Sequence, residues 1–347
     1  RGGMPGRRAR QLCPQLRFVG GHYREYQRLG DQAIDVVRDF TPLIERISID
    51  EAFADVEGSV HLFGTPERMA RQIRRRVRDE VGLPISVGVA RTKHLAKIAS
   101  QVAKPDGLIV VDPGAELEFL HDLPVRLMWG VGPVTQDRLA EMGVHTIGQL
   151  ADTPGRALQR LLGNAVGGKL GALAWNRDPR EVETHHRARS VSAQSAMGRR
   201  PATEDFIGPT LRHLADRVAT RLRAKNRAGR TITARVRFTD LRAVTRSITL
   251  PAAISATVIL ADVAKDLVYA ALADHPEERE ISLLAIAVSH LEDDAVLQLE
   301  LPFELDHEER RPGTGKGAAR WVHDRSVDEV REKFGRESVG YGSVELG

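Results

Sequence analysis

Between residues 188 and 290 the apolar residues alternate between two periods, and this alternation restricts the possible fold more than any other feature. The segments ARSVSAQSA, FIGPTLRHLADRVATRLRAKN, TITARVRFT, AVTRSITL, ATVILADVAKDLVYAAL and EISLLAIAVSHL read as strand, helix, strand, strand, helix, strand. Strands show themselves by two-residue alternation and helices by recurrence every three to four residues. A βαβ pattern given twice predicts a compact sheet carrying two helices.

The first 113 residues follow a different order. A short helix (RRARQLC) and a strand-like LRFVG occupy residues 1–22. Tyr26, Leu29, Ala33, Val36 and Val37 have helical spacing within residues 23–40. ERISI and AFADV look like two strands, and Thr65-Pro66-Glu67 opens a helix that runs to about Glu80. ISVGVA is a buried strand, TKHLAKIASQVA a helix and GLIVV a last strand. The order α-ββ-α-β-α-β predicts an α+β sheet with helices packed on one face. Residues 115–180 carry short helical segments broken by glycines, as in WGVGPVTQDRLAEMG. Beyond residue 291 the chain is acidic and then rich in Gly, Arg and Pro, which predicts a flexible tail with one short helix near SVDEVREKFG.

Asp50 and Glu51 stand between the two strands of ERISIDEAFADV. Buried without partners, two carboxylates would cost several kcal/mol. A bound cation would stabilise them, and so would an exposed hairpin tip. Strand neighbours point to opposite faces, so the pair can share a metal only where the strand turns or bulges. Ser48 lies on the same face as Asp50. Paired carboxylates with little else suit Mg²⁺, which completes its shell with water and substrate phosphates.

Charge points to a partner. Residues 187–250 hold 15 Lys/Arg against 4 Asp/Glu, net +11, and residues 274–310 hold 12 Asp/Glu against 2 Arg, net −10. The basic block suggests a polyanion, nucleic acid first. Gly130 and Gly132 in GVGPVTQDRL free backbone N–H groups and a helix start to face a phosphate. Arg235 and Arg237 share one strand face and Thr245 and Ser247 share a face of the next, with Arg246 opposite, as rows of donors at period two. One cysteine, Cys13, excludes an internal disulfide and fits a reducing cytoplasm. No apolar run is long enough to cross a membrane. His185 and His186 have no partners at metal-site spacing and read as linker residues.

In their order, SIDEAF, SVGVARTKHLAKIASQVAKPDGL and WGVGPVTQDRL resemble the palm and thumb of a Y-family DNA polymerase of the bacterial DinB type. RGGMPGRRARQLCP looks like the end of that family's fingers, and ARSVSAQSA and VTRSITLP like strands of its little finger. The resemblance implies an α+β fold: fingers remnant at 1–22, an incomplete catalytic palm at 23–113, a helix–hairpin–helix thumb at 114–180, a βαββαβ little finger at 188–291 and a tail at 292–347. It implies error-prone translesion DNA synthesis by a DNA-directed DNA polymerase with two Mg²⁺ ions, primer-template DNA and deoxynucleoside triphosphates. Asp50 and Glu51 match the metal-binding and catalytic carboxylates. Lys104 in AKPDG matches the lysine that contacts the triphosphate. Gly130, Gly132, Arg189, Arg235, Arg237, Thr245 and Arg246 fall where the family holds DNA. QLELPF resembles a sliding-clamp peptide, with Gln298, Leu301 and Phe303 as its anchors. A monomer is expected. The family's first metal aspartate, its gate against ribonucleotides and a Tyr/Arg pair precede the GMP segment and are not in these residues. The expectation is a chain that binds DNA weakly without polymerising. The other reading is a non-catalytic homologue acting as a DNA- and clamp-binding adaptor.

Overall fold

The computed structural model describes residues 3–185, 187–293 and 314–340, and it divides into two units, residues 1–186 and 187–347. The division falls beside the boundary expected at residue 188. No described helix is long and apolar enough to cross a membrane.

In the first unit, α1 (Gly6–Leu12) buries no side chain, and α2 (Tyr23–Arg38) follows it. Residues 16–20, expected as a strand, are irregular, with Phe18 and Val19 exposed. A strand needs a neighbour for its N–H and C=O groups, and among the described residues none pairs with this segment. After α2 comes an antiparallel hairpin of β1 (Ile44–Arg46) and β2 (Ala52–Ala54). A single turn, α3 (Val60–Phe63), leads to α4 (Pro66–Arg76). Thr65 caps α4 by accepting the Arg68 N–H at 3.3 Å, and Pro66 takes the first position, where a missing N–H costs nothing. One wider turn, Val77–Val81, carries the helix to the length expected.

β3 (Val87–Val89), α5 (Lys93–Val102) and β4 (Leu108–Val110) make a parallel βαβ crossover. Gly88 lets α5 lie against β3, because a Cβ there would stand 2.2 Å from the Ala96 oxygen. The expected order of elements is therefore present, but as two separate strand pairs rather than one sheet. β3, expected to be buried, is half-exposed at all three positions.

The glycine-broken region forms α6 (Glu116–His121), α7 (Pro133–Glu141), α8 (Ile147–Asp152), α9 (Gly155–Leu162) and α10 (Asn164–Ala174). Its core of Leu120, Leu139, Ile147, Leu150, Leu158 and Leu170 is continuous with Leu95, Ile98 and Ala99 of α5. The border expected at 113/114 is thus no break in packing. A second cluster joins Val36 and Phe40 to Met69, Ile73 and Val77.

The second unit holds β5 (Ser190–Pro201), α11 (Glu204–Arg223), β6 (Arg227–Phe238), β7 (Ala243–Ile254), α12 (Thr257–Ala273) and β8 (Glu280–Asp293). The six elements are those the alternation predicts. Their sheet order is β5-β8-β6-β7, antiparallel throughout. β8 separates β5 from β6, and β6 separates β7 from β8, so each strand–helix–strand unit encloses a strand of the other. Neither half makes this sheet alone. Ile232, Ala234, Val236 and Phe238 of β6 and Leu284, Ile286 and Val288 of β8 face α11 and α12 in one apolar core.

The expectation of a flexible tail with one short helix is corrected for residues 314–340. There α13 (Gly315–Phe334) spans 20 residues and is capped by Thr314, which accepts the Gly317 N–H at 3.2 Å. Arg223 of α11 pairs with Asp324 at 3.1 Å and Asp328 at 2.5 Å, and Arg331 pairs with Asp216 of α11 at 2.7 Å. These partners lie 101 to 115 residues upstream. A charged helix that docks through distant buried ions has no local signature.

Candidate active site and nucleic-acid face

Residues 47–51 connect β1 to β2. The N–H groups of Ile47 and Ser48 both donate to the Glu51 carbonyl, at 3.0 and 3.3 Å. This turn releases Asp50 and Glu51 from the alternation of a strand. Asp50 is exposed and its carboxylate accepts from the Ser48 hydroxyl. Glu51 is half-buried and receives the Lys97 ammonium on both oxygens, at 3.1 and 3.0 Å. The burial cost posed by the sequence therefore does not fall on Asp50. The buried acid of this segment is Glu45, whose side chain is 5% exposed and ion-paired with Lys93, itself 8% exposed. Glu45 also accepts the Glu183 N–H at 2.8 Å, and Lys93 donates to the Glu181 carbonyl at 3.0 Å.

Arg46 holds the loop in place. Its guanidinium donates to the carbonyls of Ser48 and Ile49, each at 2.9 Å, and pairs with Asp31 of α2. Hydrogen bonds from Arg46 and then Gln27 hold the Asp31 carboxyl below its usual range. The loop presses on α2 at Gly30, where a Cβ would stand 2.1 Å from the Ile49 oxygen. Gly30, Asp31 and Arg46 were not singled out by sequence, because their relation appears only once α2 lies beside the hairpin.

Lys104 is exposed just past the end of α5. Its turn is pinned by Asp106, whose carbonyl accepts from Arg74 at 2.6 Å and whose carboxylate is shared by Arg74 and Arg78. Partial burial raises the Asp106 pKa, but the two guanidinium groups outweigh it and hold the carboxyl low.

Met128 to Val131 form a tight turn, closed by the Val131 N–H on the Met128 carbonyl at 3.1 Å. Gly130 takes φ +104°, a region open to glycine. Gly132 then caps α7, Pro133 occupies its first position, and exposed Val134 follows. The first N–H groups of a helix have no partner within it, and this helix start offers them beside Gly132.

His94 escaped sequence reasoning. It is fully buried, neither ring nitrogen has a partner, and burial pushes its pKa down to about 4 against the opposing pull of Asp178. Its backbone N–H donates to Asp178 at 3.0 Å.

In the second unit one sheet face is covered by helices and the other is open. Register places Thr231, Thr233, Arg235 and Arg237 of β6 opposite Thr249, Ser247, Thr245 and Ala243 of β7. On the other side they meet Ser289, Ala287, Ala285 and Leu283 of β8, which face Ser190, Ser192, Gln194 and Ala196 of β5. Apart from Leu283, Arg237 and the exposed Arg235, this surface is small and mostly hydroxylated. The serines and alanines of β5 and β8 were missed, although the same alternation marks them. Arg237 donates to the Ser282 hydroxyl at 2.9 Å. Arg246 lies on the helix-side face, as the alternation requires, and pairs with Asp274. Arg189 is exposed just before β5. Gln298, Leu301 and Phe303 lie outside the described residues, as does His186, and His185 is exposed.

Residues 1–101 match the impB/mucB/samB family, residues 188–301 its C-terminal domain and residues 113–144 the IMS family HHH motif. The chain is 68% identical over 346 residues to DNA polymerase IV 2 of Mesorhizobium japonicum, covering 100% of this chain and 83% of that protein. The chain belongs to the Y-family DNA polymerases of the DNA polymerase IV type. It is also 34% identical over 350 residues to DNA polymerase IV of Moorella thermoacetica, covering 99% of this chain and 82% of that one. Among solved structures it resembles a Y-family chimera of Dbh and Dpo4, with TM-score 0.72 and 24% identity over 84% of this chain and 83% of the other. A Dbh ternary complex follows at TM-score 0.57 and 25% identity, over 83% and 84%. Members of this family are DNA-directed DNA polymerases, and the α+β fold with its hairpin–helix segment and four-stranded sheet is theirs.

Polymerases of this kind work with divalent cations. Among the described residues no group of three or more His, Cys, Asp or Glu side chains is placed to hold one. Asp50 and Glu51 still supply hard oxygen donors, which suit a cation that takes its other ligands from water and substrate phosphate. Asp50 is exposed for that role, while Glu51 shares its charge with Lys97.

Proposed function

We propose that the protein as its gene encodes it carries out error-prone translesion synthesis, adding deoxynucleotides to a primer 3′ end, with Asp50 and Glu51 among its catalytic carboxylates. One observation carries the assignment. The two acids sit on a turn clamped by Arg46, with Asp50 open to solvent, in a chain of the polymerase IV type. Two Mg²⁺ ions held by these acids together with substrate phosphates would activate the primer hydroxyl and steady the leaving pyrophosphate. Lys104 offers a point charge to the triphosphate of the incoming nucleotide, and Arg74 holds the turn that presents it. The helix start after Gly132 accepts a DNA phosphate without reading bases. In the second unit Arg235, Thr245, Ser247 and their hydroxylated neighbours follow the duplex backbone, with Arg189 beside them and Arg237 at the sheet end. Arg246, tied to Asp274, contributes charge from the rim. A sliding clamp is the proposed protein partner through Gln298, Leu301 and Phe303, and the working form is a monomer.

Primer extension by the protein as its gene encodes it tests the assignment. Asp50→Ala should lower extension at least ~10³-fold, since positioning and charge stabilisation supply nearly all of the catalysis. Its affinity for primer-template DNA should be unchanged. Extension at the wild-type rate by this variant would remove Asp50 from the catalytic site. A wild type that binds DNA and clamp without extending any primer would instead make the adaptor its function.

A further inference from the structure

Trp129 stands immediately before Gly130, inside the tight turn that sets the start of α7. Its ring reaches into the hairpin region. The ring centroid lies 5.7 Å from that of Phe53 on β2, two residues past Glu51. The Lys97 ammonium lies 5.5 Å over the same ring, and Arg180 packs on it at 4.4 Å. Arg180 is itself fixed by Asp178 through two hydrogen bonds of 2.6 and 2.7 Å. Lys97 completes the path by donating to both oxygens of Glu51, and its side chain is only 16% exposed.

We infer that Lys97 is a positioning residue for Glu51, and that Trp129 sets Lys97 so that the DNA-docking turn and the catalytic carboxylate are held in one register. The inference rests on the catalytic assignment of Glu51 above. The physical basis is rotamer freedom. A half-exposed glutamate on a five-residue turn samples several orientations, and a largely buried ammonium bonded to both its oxygens selects one. The ammonium is in turn confined by the face of an indole, which attracts a cation. Only two residues separate Trp129 from the cap of α7, so a phosphate docked at that helix start bears on the indole through a short turn. The sequence shows Lys97 and Trp129 only as a helix lysine and a turn aromatic.

Steady-state extension and DNA binding test the bridge. Lys97→Met should lower kcat by about 10- to 100-fold, the scale expected when a reacting group loses its alignment. KM for the nucleotide and Kd for primer-template DNA should stay within about twofold, since neither ground-state contact is removed. Lys97→Arg should restore most of kcat, because a guanidinium reaches a carboxylate and stacks on an indole at once. A rise in nucleotide KM or DNA Kd with kcat intact would make Lys97 a substrate contact and overturn the inference. A fluorescence arm is independent of activity. With Trp175→Phe and Trp321→Phe, Trp129 is the one remaining tryptophan of three. Glu51→Gln should then shift Trp129 emission when Lys97 is present and not after Lys97→Met. Equal emission in all four combinations would sink the bridge. If instead Asp50→Ala and Glu51→Ala extend primers normally, the catalytic reading fails, while the emission data still decide whether the contact chain transmits.

Discussion

Among the described residues, four strands of 12 to 14 residues share one sheet and one apolar core in the second unit, whereas in the first the four strands are three residues long and form two separate pairs. The long ladder needs little beyond alternation to hold it. The short pairs are tied instead by ions and hydrogen bonds between segments far apart in the chain. Lys93 joins Glu45, Arg46 joins Asp31, and Arg91 joins Glu116 with hydrogen bonds of 2.7 and 2.5 Å. A regular sheet repeats one spacing along its length, as the proposed contact with a duplex backbone requires. A site that must present particular carboxylates at particular points is built from individual clamps.

The difference can be broken from either side. Phe238→Ala removes a fully buried ring from the apolar core and should cost about 3–5 kcal/mol. Amide exchange followed by unit should show protection falling in residues 190–293 and staying in residues 23–176. Equal loss in both would mean that the two units do not unfold separately.

Lys93→Met attacks the other kind of bond. It takes the Lys93 cation away from the buried Glu45 carboxylate, at a cost of about 3–5 kcal/mol confined to the first unit. Adding Glu45→Met should recover much of that loss in a denaturant titration. If the double variant is no better than the single one, the pair contributes through packing rather than charge.

A smaller effect comes from pH. Burial holds the His94 pKa at about 4, below the ordinary 6.5, so the unfolded chain takes up this proton first as pH falls. Stability from this group is complete above pH 6.5 and declines toward pH 4, by at most ~1.4 kcal/mol per pH unit. Thermal unfolding of His94→Leu should have a flatter acid limb than wild type. An unchanged limb would place the acid sensitivity elsewhere.

Periodicity, turn chemistry and motif order were sufficient to read the six elements of the second unit, the helices α1, α2, α4 and α5 of the first, the Asp50–Glu51 turn and the Gly130–Gly132 helix start. Each of those signals is local, carried by residues within a few positions of one another. The strand expected at LRFVG failed because a strand depends on a neighbour, and the tail was misread because Asp324, Asp328 and Arg331 find their partners in α11. Only the tertiary structure showed that Asp50 is exposed while Glu45 is buried, although both are acids beside apolar residues. Burial of a side chain depends on which distant segment covers it, and for Glu45 that segment includes residues 181–183. By itself the sequence determined what kind of enzyme this is and which carboxylates to test. The fold decided what holds them, since Gly30, Arg46, Lys97 and Trp129 come together only when α2, β1, α5 and the turn before α7 have packed.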